Sequence, residues 1–203
     1  MFHQEKRIRM LSLLLYQARL RSGRLRTEWN RPCHGASLEK CPQAILASSR
    51  AFFVTTKASM GRRLLQSERN ALLLIDVLRS NVAAGKFQLH EFVIMPDHLH
   101  LLMTLSVEAT IEKAMQLIKG GFSYRLKKEF GYQGEVWQRG FSEVRISDGQ
   151  SFLQHREYIV QNPVKAGLVD TAEQYPYGYT YLAKKKAQGI KSKSLLDLSL
   201  REG

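Results

Sequence analysis

Apolar positions along this chain alternate between a period of two and a period of three to four, and the switches divide residues 49–183 into elements. Ala51-Phe52-Phe53-Val54-Thr55-Thr56-Lys57 is rich in β-branched and aromatic side chains and predicts a first strand, closed by the turn-like Ala58-Ser59-Met60-Gly61. From Ser67 to Ala84, Leu72, Leu73, Ile75, Val77 and Leu78 recur at helical spacing, with Ser67 as N-cap and Gly85 as stop. Residues 87–95 predict a second strand. Pro96-Asp97 makes a turn, and a third strand runs back from His98 to about Leu105 as the other arm of a hairpin. Ile111, Ala114, Met115, Ile118, Phe122, Leu126 and Phe130 then mark a second helix that tolerates Gly120-Gly121, at a cost of about 1 kcal/mol each, which suggests close approach by another backbone. Val144-Arg145-Ile146 predicts a fourth strand. Gln150 to Gln161 predicts a third helix, stopped by Pro163 because proline disfavours the α region in the residue before it.

Strand, helix, strand, strand, helix, strand is the order of the ferredoxin-like split βαβ plan, an α+β fold with an antiparallel sheet and helices on one face. The third strand is central in that plan, so its side chains stand mid-sheet. Residues 1–48 form a basic extension in which 2–26 carry the pattern of a basic amphipathic helix, and residues 184–203 form a basic tail. Tyr175, Tyr177, Tyr179 and Tyr181 alternate around Pro176 and Gly178, the pattern of a packed strand or turn.

Charge changes the picture of the partner. The net charge is +13, of which residues 1–50 carry +7 and residues 184–203 carry +4, leaving a nearly neutral middle. Basic ends around a neutral domain point to a polyanion, and nucleic acid comes before membrane because no long apolar segment is present. Cys33 and Cys41 match no zinc or disulfide spacing, and the apolar run at residues 10–16 has no cleavage site, so the cytoplasm is the expected compartment.

Chemistry enters at His98 and His100. Residues i and i+2 of a strand share a face, which sets two imidazoles about 6.6 Å apart at the backbone and makes half a metal site. Alone, such a pair is more often structural. Tyr158 and Asn162, one helical turn apart, carry a phenol and an amide oxygen on one helix face. His3, His34, His90 and His155 stand at no metal spacing and receive no role. Trp137 is read as core. Lys113, Lys119, Arg125, Lys127 and Lys128 give the second helix a basic side that suits a nucleic-acid backbone or a solvated face.

The block Met95-Pro96-Asp97-His98-Leu99-His100-Leu101-Leu102-Met103, then Trp137-Gln138, then the block from Tyr158 to Val169 containing Asn162-Pro163-Val164-Lys165-Ala166-Gly167 resembles the REP-associated tyrosine transposases, single-tyrosine members of the HUH nuclease group. The resemblance covers about residues 50–182. It implies that His98 and His100 bind a divalent metal with Asn162 as third ligand, and that Tyr158 is the nucleophile. The expected activity is cleavage and transfer of single-stranded DNA near palindromic hairpins through a covalent 5′-phosphotyrosine, by a monomer or a homodimer. Asp97 and Glu143 are expected to support the site, and Lys119, Arg125, Lys127, Lys128 and Lys165 to contact DNA. Two imidazoles and an amide oxygen suit Mn²⁺ or Mg²⁺. One departure stands out: family members often carry His after the acidic position that is Glu143 here, and this chain has Val144. A domesticated hairpin-binding protein without catalysis is the alternative it favours, whereas a small-phosphoester hydrolase would leave the basic excess without a purpose.

Overall fold

The structure, a computed structural model, describes residues 50–188. The basic N-terminal extension and the chain beyond residue 188 lie outside the described residues. In chain order the elements are β1 (Arg50–Lys57), α1 (Glu68–Ala83), β2 (Gln88–Ile94), β3 (His98–Leu105), α2 (Ile111–Phe130), β4 (Ser142–Ile146), α3 (Gly149–Lys165) and α4 (Tyr179–Ala187). The strands form one sheet in the order β2-β3-β1-β4, antiparallel throughout, with β3 and β1 central. This is the expected split βαβ order.

Local chemistry sets the boundaries. The hydroxyls of Ser67 and Thr110 accept from the backbone N–H groups of Asn70 and Lys113 and cap α1 and α2. Gly131 ends α2 in the left-handed conformation that glycine adopts without a Cβ clash. The Asp148 carboxylate caps α3 through Ser151 N–H at 2.8 Å.

Alternation along the strands creates two cores. Phe52 and Val54 of β1 and Leu99, Leu101, Met103 and Leu105 of β3 pack beneath α1 and α2 with Leu74, Leu78, Ile118 and Phe122. Ala51, Val93, Leu102 and Ile146 point the other way and meet Phe152 and Ile159 of α3 and the ring of Tyr175. The expectation of helices on one face therefore holds for α1 and α2, and α3 covers the opposite face. A strand pair with apolar residues on both of its faces has to be covered on both sides.

Three further expectations are revised. α3 does not stop before Pro163 but continues to Lys165, because the buried pyrrolidine ring packs with Ile159 and Tyr175 against β2 and offsets the missing N–H. Tyr179 and Tyr181 belong to helix α4; only the preceding stretch is strand-like, where Gly178 bridges Val93 and Tyr177 O accepts from Ile94 N–H at 2.9 Å, covering the β2 edge. The double glycine of α2 admits a side chain rather than a backbone. A Cβ on Gly121 would lie 3.3 Å from Val77 Cγ1 of α1, while one on Gly120 would meet nothing within 4 Å.

Candidate active site

The pleat that buries Leu99 and Leu101 under α1 and α2 turns His98 and His100 to the opposite face of β3. Their ring centroids lie 4.7 Å apart and their planes are nearly perpendicular. A neighbour holds each ring by Nδ1. Asp97, in the turn that opens β3, accepts from His98 Nδ1–H at 2.7 Å. Thr55, directly opposite His100 on β1, places its hydroxyl 2.7 Å from His100 Nδ1. The Asp97 carboxylate can only accept, so His98 Nδ1 is the donor and its Nε2 keeps a lone pair, while the Thr55 hydroxyl fixes the orientation of the His100 ring, as carboxylates and hydroxyls do beside metal-binding imidazoles. Burial lowers the pKa of His100 to about 3, helped by the charges of His98 and Lys57 and only partly opposed by Asp97. His100 is therefore neutral across the physiological range, and its lone pair stays available.

The helical period brings α3 to this face. Phe152, Ile159 and Pro163 are its buried stripe, and the guanidinium of Arg156 reaches Glu91 Oε2 of β2 at 3.4 Å. The adjacent stripe, His155, Tyr158 and Asn162, borders the open half of the face above β1 and β4. Phe53 of β1 is the hub. Its ring stacks on His100 at 5.5 Å, meets His155 at 4.8 Å and receives the edge of Tyr158 at 5.7 Å. Tyr158 also stands edge-on to His100 at 5.4 Å and is 43% exposed, so its phenol borders both the imidazole pair and solvent. Lys165 Nζ lies 5.7 Å from the Tyr158 ring centroid. Asn162, partly buried, follows one turn after Tyr158.

Two histidines anchored through Nδ1, a phenol in ring contact with one of them and a lysine beside that phenol form a constellation suited to a phosphodiester. Residues 54–162, more than half of the chain, match the family model described as "Transposase IS200 like". The chain belongs to the IS200-like transposases. A candidate REP-associated tyrosine transposase of Haemophilus influenzae is 34% identical over 102 residues, covering 45% of this chain and 57% of that protein. The REP-associated tyrosine transposase of Escherichia coli is 27% identical over 120 residues, covering 56% of this chain and 70% of that one. A solved structure of a REP-associated tyrosine transposase bound to a REP hairpin superposes with a TM-score of 0.55 at 24% identity, over 70% of this chain and 82% of that chain. That likeness shows the shared α+β fold.

The remaining candidates are distributed unevenly in this member of the family. Glu143 pairs opposite Val54 and so points to the face of α1 and α2, away from the histidines. Val144, opposite Phe53, lies on the site's own face of β4 with Ser142 and Ile146, and is exposed. Lys119 donates to the carbonyls of Gln138 at 2.9 Å and Gly140 at 2.6 Å, and partial burial lowers its pKa. Arg125 is paired with Asp76 and Glu129 between α1 and α2. Lys127 and Lys128 are exposed in the last turn of α2, on the far side of the sheet. Of the five basic candidates, Lys165 alone stands beside Tyr158.

Trp137 is buried, packs on Phe122 at 5.4 Å and donates from its indole N–H to Lys119 O at 3.1 Å, as a core residue does. Sequence reasoning passed over Phe53, Thr55 and His155. His155 was accessible to it, since it precedes Tyr158 by three residues on the same helix. Phe53 and Thr55 needed the register of β1 against β3. Among the described residues no three His, Cys, Asp or Glu side chains gather as a metal cluster, and no helix is long and apolar enough to cross a membrane.

Proposed function

We propose that this chain is a metal-dependent single-stranded-DNA endonuclease and strand transferase that cuts beside palindromic hairpin repeats and holds the 5′ phosphate on Tyr158. The observation that carries the reading is the ring contact between Tyr158 and His100, with His98 beside it and both Nδ1 atoms engaged. His98 Nε2, His100 Nε2 and the side-chain oxygen of Asn162 are the groups that would hold Mg²⁺ or Mn²⁺. They fit such an ion as a neutral mixed N/O set, whose remaining positions water and phosphate oxygens would fill. When bound, the cation supplies positive charge to the non-bridging oxygens of the scissile phosphate.

Every other part of the reaction falls to the chain. Tyr158 Oη attacks phosphorus, the O–P bond to tyrosine forms, and the bond from phosphorus to the 3′ oxygen breaks. Rejoining is the reverse, with a 3′ hydroxyl displacing tyrosine, because the phosphotyrosine conserves the bond energy. Thr55 and Asp97 fix the imidazoles, and Lys165 attracts the phosphate backbone to the nucleophile. The relatives named for REP elements, and the solved relative bound to a REP hairpin, support a hairpin as the substrate.

The test is incubation with labelled single-stranded DNA bearing the palindromic repeat nearest the gene, with Mn²⁺ or EDTA, followed by a denaturing gel. A shifted band that needs Mn²⁺ and is absent in Tyr158→Phe is the expected result, with native-gel hairpin binding retained. Val144, on the site's face in register with Phe53, favours the second reading, a hairpin-binding protein without catalysis. That reading gains if the native shift is hairpin-specific and wild type yields no adduct.

A further inference from the structure

The residues that border Tyr158 include one that the reaction as described leaves idle. His155 lies one turn before Tyr158 on α3, and both rings pack on Phe53, at 4.8 Å and 5.7 Å. Its Nδ1 is 2.8 Å from the carbonyl oxygen of Ser151. A carbonyl only accepts, so this contact fixes the tautomer: Nδ1 carries the hydrogen, and Nε2, at the far end of the ring, presents a lone pair. Phe53 packs against His155, Tyr158 and His100 alike, so its phenyl seats the His155 imidazole in the same ring cluster as the phenol. Side chains three apart on a helix have Cβ atoms about 5–6 Å from each other, a separation that an imidazole and a phenol can close.

Resting on the reading of Tyr158 as nucleophile, we propose that His155 is the general base that activates it. In cleavage His155 Nε2 takes the proton from Tyr158 Oη as that oxygen bonds to phosphorus; the electron pair of the broken bond stays on the 3′ oxygen, which takes its proton from water. In rejoining the flow reverses, and His155 returns the proton to the departing tyrosine oxygen. Placement on the nucleophile's own helix restricts it to that side of the phosphorus, since attacking and leaving oxygens lie in line on opposite sides. A phenol is almost wholly protonated at neutral pH, so a positioned acceptor contributes about 10²–10⁴-fold to its attack.

The experiment uses full-length protein, Mn²⁺ and labelled hairpin substrate, and follows the rate of covalent adduct formation in wild type, His155→Gln and His155→Ala. Glutamine can keep the bond to Ser151 O through its amide and cannot take the proton. The expected result is an adduct rate at least a hundredfold lower in both variants, with hairpin affinity and melting temperature near wild type. Added imidazole should restore His155→Ala, more strongly with more basic ring-substituted imidazoles, and leave wild type unaffected. Passive packing by His155 predicts no such rescue. An adduct rate within threefold of wild type in His155→Gln, or a loss that no imidazole restores, overturns the assignment while leaving Tyr158 in place. A wild-type protein that forms no adduct overturns the reaction itself, and the base with it.

Discussion

Glu91 is a carboxylate in the wrong solvent, and its titration should be visible in the stability of the whole domain. It sits at the β2 irregularity, 1% exposed, directly beneath the helix that carries Tyr158. Burial raises its pKa to about 7 against the opposing charge of Arg156 and bonds from the backbone at Phe92 and Thr180. Arg156 loses that contest because its guanidinium stands 3.4 Å from Glu91 Oε2, too long for a strong charge-assisted hydrogen bond. Between its ordinary value of 4.5 and about 7 the folded chain holds a proton that the unfolded chain has released, so this group's contribution to stability falls as pH rises through that window. At about 1.4 kcal/mol per pH unit the full effect is on the order of 3 kcal/mol. His90 and His100 act in the opposite direction. Burial lowers them to about 4 and about 3, so their contribution is present above the ordinary histidine value of 6.5 and is lost as pH falls below it. The raw profile of wild type therefore mixes both signs, and the informative quantity is the difference between wild type and Glu91→Gln. Urea unfolding at half-unit steps from pH 4.5 to 8 measures it. The stability of Glu91→Gln relative to wild type should rise by about 3 kcal/mol across the window, whatever its offset at pH 4.5. Parallel profiles would show that Glu91 is ionised in the fold throughout, and would refute the claim that burial outweighs Arg156.

Thr55→Val removes the hydroxyl at His100 Nδ1 with little change in shape, and should raise the Mn²⁺ concentration needed for adduct formation about 10–100-fold, read from metal titrations of the gel assay. Asp97→Asn should do the same through His98, and an unchanged requirement in both variants would count against coordination through Nε2. Lys165→Ala should weaken hairpin binding and reduce the slope of log affinity against log salt by about 1, whereas Lys127→Ala, on the far face, should leave it unchanged. Trp137→Phe should cost about 1–3 kcal/mol in denaturant unfolding, for the lost bond to Lys119 O and the space left beside Phe122, without altering base preference.

What the chain alone determined was whatever depends on local periodicity. The alternation from His98 to Leu105 set two imidazoles on one face with leucines on the other, the caps at Ser67 and Thr110 were written in their side chains, and the i, i+4 spacing joined Tyr158 to Asn162. The order of elements then implied the sheet, because few topologies accommodate it. Tertiary structure decided which charges are spent inside. Lys119 and Arg125 stand on the same helix as Lys127 and Lys128, yet the first pair satisfies carbonyls and carboxylates, because that side of α2 meets α1 and the loop before β4. It also decided that Pro163 stays helical, since only the burial of its ring offsets the missing N–H. Above all it assembled Phe53, Thr55 and His155 around the phenol and the imidazoles. Those contacts span 45 residues from Thr55 to His100 and about a hundred from Phe53 to Tyr158, and separations of that size are set by strand register and helix docking, which no local pattern encodes.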